Sequence, residues 1–486
     1  MKPVIVWFRN DLRISDHPAL WTARETGRPV IPLFILSDEG EETWKIGGAS
    51  RWWLHHALQQ FEKELEAIAT VKPQNGALLL CHGPIDEALL EVARAFGSNE
   101  IFVSQALEPL AESQDKRLHQ ALGREGIELR RFHGNLLLNQ SQIKKDDGSS
   151  YQVFTPFYKS ALKLPVKEPL PELKSLNLDP SLGEKKLAKR RSLDSLGLLK
   201  GLGWSKKFAN FWLKKPFWFA TEEVLERALE VVPGYGQSRD FPALAGSSRL
   251  SPLLHFGQVS PRQVYARIQK LPETDHTRGF IRQIYWREFA HDQLFVHPTM
   301  DHIAIRREFR DFPYELDKTL LQSWQVGQTG YPIVDAAMRE LWETGFMHNR
   351  CRMIVGSFLV KDLLCPWQAG AEWFWDTLVD ADLANNSMGW QWIAGCGVDA
   401  APYFRIFNPL LQSQKFDPHG SYIKKYLPEL GKLTPEDVHA PWAADPYRLK
   451  QANVILGKNY PHPIVDHKKA TFRALKAYDA IKQKKD

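Results

Sequence analysis

The first 132 residues alternate between short apolar runs and amphipathic stretches, and this alternation constrains the start of the chain more than any other feature. Val4–Phe8, Val30–Leu36, 77–81, 101–104 and 127–132 read as strands apolar enough to be covered on both faces. Between them Trp53, Leu54, Ala57, Leu58, Phe61, Leu65 and Ile68 recur at helical spacing, and Leu89, Leu90 and Val92 belong to a second helix after Gly83-Pro84. Strands alternating with helices predict an α/β domain built on a doubly wound parallel sheet. No GxGxxG follows the first strand, so the dinucleotide fingerprint is absent. The loop there is Arg9-Asn10-Asp11-Leu12-Arg13, with Asp16 and Pro18 placed to start a helix.

The pattern breaks down over 133–215. Pro165, Pro169, Pro171 and Pro180 and the basic run 185–191 predict a long linker draped over the surface, the basic run forming a solvated face. From 216 to 486 helical periodicity takes over: Val334, Ala337, Met338 and Leu341 line one face of a helix entered through Gly330-Tyr331-Pro332. The expected organisation is therefore an α/β domain over 1–132, a linker over 133–215 and an all-helical domain over 216–486.

With 43% hydrophobic and 25% charged residues, the 486-residue chain has the composition of a globular protein rather than a disordered or fibrous one. The net charge of +6 is compatible with a polyanionic partner without requiring one. Cys81, Cys351, Cys365 and Cys396 form no CxxC pair, which argues against a metal site and for a reducing compartment. No signal h-region follows Met1-Lys2-Pro3 and no stretch approaches a membrane span, so a cytoplasmic monomer without a membrane partner is expected.

Three helical segments carry polar groups that a plain core would not choose. Gln283, Trp286, Arg287 and Ala290 share one helical face, and Asn349, Arg352, Met353 and Gly356 share another. Either face alone is equally compatible with a buried polar network. Residues 380–392 add two carboxylates, an amide pair and two indoles, and eight of the 17 tryptophans fall between Trp286 and Trp392. Together the three segments point to one cavity for a large flat ligand. Gly234-Tyr235 and Gly246-Ser247-Ser248-Arg249-Leu250-Ser251 form a small-residue loop that can cradle a diphosphate or serve as an ordinary helix cap.

Trp7-Phe8-Arg9-Asn10-Asp11-Leu12-Arg13, Phe154-Thr155-Pro156-Phe157, Ser248-Arg249-Leu250-Ser251, 329–336, Met347-His348-Asn349-Arg350, Asp380-Ala381-Asp382 and Trp390-Gln391-Trp392 resemble the DNA photolyase and cryptochrome family nearly end to end. Residues 400–409 are most similar to the bacterial cyclobutane-dimer branch. The resemblance implies a folded FAD in the helical domain and an antenna chromophore in the α/β domain. It also implies light-dependent repair of UV-damaged DNA, in which a reduced, excited flavin gives an electron to a flipped-out pyrimidine dimer.

Carried over by motif, Tyr235, Ser247, Ser248, Arg249, Leu250 and Ser251 would hold the diphosphate end of FAD. Asp380, Ala381 and Asp382 would lie near the ribose and flavin, Arg352 would pair with Asp380, and Asn386 would face flavin N5. Gln283, Asn349 and Met353 would meet the lesion, and Trp286 and Trp392 would wall it. Arg239, Arg287, Arg350 and Gln412 would contact the DNA. Trp390, Trp367 and Trp324 correspond to an electron-hopping chain from flavin to surface.

Two departures qualify the match. Gln283 stands where cyclobutane-dimer photolyases usually carry Glu; an amide cannot be anionic and offers an NH₂ where a carboxylate only accepts. Glutamine there resembles (6-4) photolyases, but Asn349 and Met353 stand where those carry a histidine pair. Leu110 and Ala111 stand where folate-binding relatives place Asn and Glu, which leaves folate, a deazaflavin, another flavin or no antenna open. A cryptochrome-type photoreceptor is the alternative from a different functional class.

Overall fold

The computed structural model describes residues 1–38, 44–71, 73–105, 108–214 and 221–483. Five parallel strands, β1 (Val4–Phe8), β2 (Val30–Leu36), β3 (Leu79–His82), β4 (Glu100–Ser104) and β5 (Glu128–Phe132), are ordered β3-β2-β1-β4-β5. All five residues of β1 are buried, because β1 has a neighbour on each edge: Ile5 pairs with Ile31 and with Ile101. The connecting helices are α1 (Pro18–Glu25), α2 (Gly48–Ile68), α3 (Ile85–Phe96) and α4 (Pro109–Arg124). Strands of this kind, covered on both faces, need the near-continuous apolar runs that the sequence supplies.

The described chain divides into two units. One comprises 1–203, 215–230 and 249–298 and contains the sheet; the other comprises 204–214, 231–248 and 299–486 and is helical. Among the described residues no helix is long and apolar enough to cross a membrane.

Two local expectations need correction. Helix α1 takes Pro18 at its first turn, but its cap is His17, whose Nδ1 accepts from the Leu20 amide. Asp16 is instead fully buried with φ +49°, its carboxylate held by Arg262 at 2.8 Å, by the Leu170 amide at 2.9 Å and by the Ser260 hydroxyl. A charge at that position is spent on tertiary pairing rather than on the nearest helix.

The stretch over 133–215 is also more than a solvated drape. It contains α5 (Phe154–Ala161), whose Phe154 and Phe157 pack on Phe289, and it bridges to the sheet-bearing core at Val30 with Leu178, Ala69 with Leu176 and Cys81 with Arg190. Within the basic run, Arg190 donates to the carbonyls of Leu182, Gly183 and Asn75, and Lys189 pairs with Glu87 at 2.6 Å. Part of the positive charge therefore serves as a backbone staple.

Glu288 ties the same region to the Asp275–Val296 helix: its carboxylate accepts from the amides of Leu137 (2.9 Å) and Leu138 (3.2 Å) and has no exposed surface. Burial pushes its pKa up to about 7, although Arg287 and the two amides pull the other way. A carboxyl raised in the folded state contributes stability that is complete below its unfolded value near 4.5 and is lost as pH rises through about 7. That displacement corresponds to roughly 3 kcal/mol. The unfolding midpoint is accordingly expected to fall between about pH 4.5 and pH 7.5, and Glu288→Gln to flatten that fall. Equal slopes for the two proteins in thermal melts across this range would refute the assignment.

Candidate functional site

In the helical unit the most constrained feature is an ion pair. Arg352, on the Asn349–Ser357 helix, donates from Nη2 to both oxygens of Asp380 at 3.0 and 2.8 Å, and from Nε to the Met347 carbonyl at 2.8 Å. The Asp380 side chain is only 2% exposed, and this partner supports its charge there. Two residues on, Asp382 caps the Leu383–Ala394 helix by accepting from the Asn385 amide at 2.9 Å, with Ala381 buried between the two acids. Capping leaves this short acidic stretch fixed at a helix start.

One turn into that helix, Asn386 donates its Nδ2 to the Ala371 carbonyl at 3.0 Å. With the NH₂ engaged in this way, Oδ1 is the end of the amide that can accept. Trp390 lies one further turn along and is 3% exposed, its Nε1 buried without a hydrogen-bond partner among the described residues. Its ring rests on Gly370 of the Trp367–Thr377 helix, where a Cβ would come within 2.1 Å of the indole. Gly356 of the Asn349–Ser357 helix faces the same ring from farther off, since a Cβ there would lie 3.6 Å from it, an ordinary contact distance.

Trp324 is 6.3 Å from Trp390 between ring centroids, and Trp367 sits at the start of the helix that carries Gly370. Both outer indoles are interior: Trp324 has no exposed surface and Trp367 has 1%. Trp324 donates Nε1 to the Val355 carbonyl at 3.0 Å, an interior partner that spacing along the sequence cannot reveal.

Asn349 and Met353 share a face as expected, with Asn349 Nδ2 at 3.9 Å from the Met353 Sδ. Asn349 is exposed and Met353 partly so, and Trp392 is half-buried. Arg350 pairs with Asp240 at 2.8 Å and stacks over Phe416 at 4.1 Å. Arg239 lies over the Tyr235 ring at 4.9 Å, with its Nε 4.0 Å from Asp240. Phe241 packs on Phe416 at 6.2 Å, one turn after Gln412 on the Pro409–Phe416 helix. The structure thus brings Arg239, Arg350 and Gln412 onto one neighbourhood through Asp240 and Phe416, two residues that the sequence did not single out. Ser247 and Ser248 belong to the same unit and follow Gly246, where a Cβ would meet Ser238 backbone at 2.6 Å.

The sheet-bearing unit carries the other predicted residues. Trp286 is half-buried and stacks flat on Phe154, with centroids 3.7 Å apart and planes 6° apart. Gln283 donates Nε2 to the Gly279 carbonyl one turn back at 3.1 Å. Arg287 is mostly occupied with structure, donating to the Asn135 carbonyl at 3.0 Å. Arg249 adopts φ +55°, and Leu250 and Ser251 lead into the five-residue helix Ser251–His255.

Residues 4–174 match the family model described as DNA photolyase, and residues 280–480 match that described as the FAD binding domain of DNA photolyase. The chain is 40% identical over 487 residues to the deoxyribodipyrimidine photo-lyase of Agrobacterium fabrum, covering 99% of this chain and 98% of the relative.

The chain belongs to the DNA photolyase family.

Cryptochromes share this ancestry: the chain is 35% identical over 496 residues to Cryptochrome-1 of Arabidopsis thaliana, covering 99% of this chain and 70% of that protein. The crystal structure of a bacterial class III photolyase from Agrobacterium tumefaciens superposes with a TM-score of 0.91 at 40% identity, covering 99% of this chain and 98% of that one. FAD is the cofactor of this photolyase-family chain, and the residues present suit it. A buried Arg352–Asp380 pair, an oriented Asn386 amide and an unpartnered Trp390 N–H are groups able to meet a polar, flat, anionic molecule.

Proposed function

We propose that this photolyase-family enzyme splits cyclobutane pyrimidine dimers in UV-damaged DNA in response to light. When bound and reduced, FAD supplies the electron that the excited-state reaction lends to the dimer. The chain's own residues hold that cofactor, present the dimer to it and keep water out. The observation that carries the reading is the commitment of Asn386 Nδ2 to Ala371, which orients Oδ1 as a neutral acceptor for an N–H on a reduced ring. A carboxylate at 386 would place negative charge beside an already electron-rich ring.

In this reading Arg352 and Asp380 fix the flavin's surroundings. Tyr235, Ser247, Ser248, Arg249, Leu250, Ser251, Ala381 and Asp382 line the rest of the cofactor. Damaged bases, extruded as is established for photolyases, would pack on aromatic walls, for which Trp286 and Trp392 are the candidates. Phe154 behind Trp286 stiffens that wall. Asn349 offers an amide to a base edge and Met353 a pliable apolar floor. That pair supports cyclobutane dimers over (6-4) lesions, since neither residue can act as a general acid in the way a histidine pair can. Arg239, Arg287, Arg350 and Gln412 would position the strand, and Gln283 would face the lesion as a neutral donor. Trp390, Trp367 and Trp324 would deliver electrons to oxidised flavin.

The test uses an oligonucleotide with one cyclobutane thymine dimer and flavin reduced beforehand. Light-dependent restoration is expected for the native chain and for Trp390→Phe, whereas Trp390→Phe should lose photoreduction of oxidised flavin. No restoration in light with reduced flavin bound would eliminate this reading and leave (6-4) repair and the photoreceptor.

A further inference from the structure

A surface that binds a polyanion has little use for an acid at its centre, yet Asp240 lies between two of the arginines proposed to meet DNA. Its carboxylate is 2.8 Å from Arg350 Nη2 and 4.0 Å from Arg239 Nε. The Asp240 side chain is 38% exposed, and a pair so open to water contributes little to stability. Arg350 is otherwise held in place: it stacks over Phe416, and its backbone amide donates to His348 Nδ1 at 3.2 Å. A ring N–H of His348 in turn donates to the Arg239 carbonyl, so one imidazole joins the two arginine-bearing segments. Burial pushes the His348 pKa down to about 4, which keeps the ring neutral and able to bond on both sides at neutral pH. The arginines therefore do not need Asp240 to be brought together. Arg350 also retains a buried Nε with no hydrogen-bond partner among the described residues, a donor that Asp240 does not satisfy.

We propose that Asp240 is a phosphate surrogate: in the free protein its carboxylate occupies the place on Arg350 that a DNA phosphate takes in the complex, and it thereby sets how weakly the chain holds intact duplex. This rests on the DNA-binding reading above. A phosphate must displace or share the carboxylate, so one arginine neutralises less backbone charge than it otherwise would. Loosened binding to undamaged DNA favours release and continued search. Each phosphate fully neutralised adds about −0.9 to the slope of log K against log salt.

The test measures binding of undamaged duplex from 50 to 200 mM salt by fluorescence anisotropy, using chain loaded with FAD. Asp240→Asn is expected to bind more tightly at low salt and to lose about 3.5-fold more affinity than the native chain over that fourfold rise. Asp240→Glu, whose longer arm still reaches Arg350, should restore the native slope. In an Arg350→Gln background, Asp240→Asn should change the slope less than it does in the native chain, since only the more distant Arg239 is left for the carboxylate to offset. Should asparagine disturb the turn, seen as loss of flavin absorbance, Asp240→Ser removes the same charge with a smaller group and is read identically. A native slope or weaker binding in the charge-free variant, with flavin retained, would overturn the proposal and make Asp240 simple glue between two arginines. A native chain whose duplex binding is insensitive to salt would overturn the DNA reading and this proposal together.

Discussion

Arg352→Ala is expected to yield protein largely free of FAD and less stable by roughly 3–5 kcal/mol, the range found when one partner of a buried ion pair is removed. The large effect follows from the asymmetry of the pair. Arg352 is 27% exposed at its side chain and could be solvated alone, whereas Asp380 is 2% exposed and could not. Truncation therefore takes a two-bond cationic partner from a buried carboxylate in a site built to receive a negatively charged cofactor. Arg352→Lys should recover only part of the loss, because an ammonium cannot reproduce two bonds to one carboxylate and a third to the Met347 carbonyl in one plane. The flavin-to-protein absorbance ratio after gel filtration and the denaturant midpoint report the two losses separately. Full flavin stoichiometry in the alanine variant would show that Asp380 is not the anchor described here.

The second large effect is expected in the sheet-bearing unit, where Asp16→Ala should destabilise by a comparable ~3–5 kcal/mol. Asp16 is the shared acceptor for Arg262, Ser260 and the Leu170 amide, and its own carbonyl receives Nε and Nη2 of buried Arg13 at 3.1 Å each. Arg262 is itself 5% exposed, so loss of the carboxylate strands a buried cation as well as an amide. Asp16→Asn keeps the shape but not the charge and should fall between. Hydrogen exchange at Leu170 is the local reporter: unchanged protection there in the alanine variant would contradict this account.

The sheet was legible because parallel strands covered on both faces announce themselves as apolar runs. β1 and β2 fall on the expected residues, and the other three begin one or two residues from where the runs do. Residues 249–298 group with the sheet although they read as helical and lie far from it in sequence, because the Glu288 and Arg262 pairings that hold them there have no periodicity to detect. In the helical unit the Arg352–Asp380 pair was foreseen from motif resemblance and is present. Asp240 and Phe416 were not foreseen, since neither a single acid nor a single aromatic stands out until the chain folds and places arginines against both. The burial of Trp324 was likewise hidden, because an indole's spacing is the same whether it ends at solvent or at a backbone carbonyl.

The contact between Trp390 and Gly370 also limits how relatives of this chain can diverge. Any side chain at 370 would occupy the volume of the indole's six-membered ring, so a lineage that keeps tryptophan at 390 is confined to hydrogen at 370. The reverse does not hold: a lineage that gives up the indole frees position 370 to vary. Substitutions at the two sites should therefore be ordered in time, with 390 changing first, and a chain bearing a bulky residue at 370 beside an intact tryptophan at 390 must have moved one of the two helices that carry them.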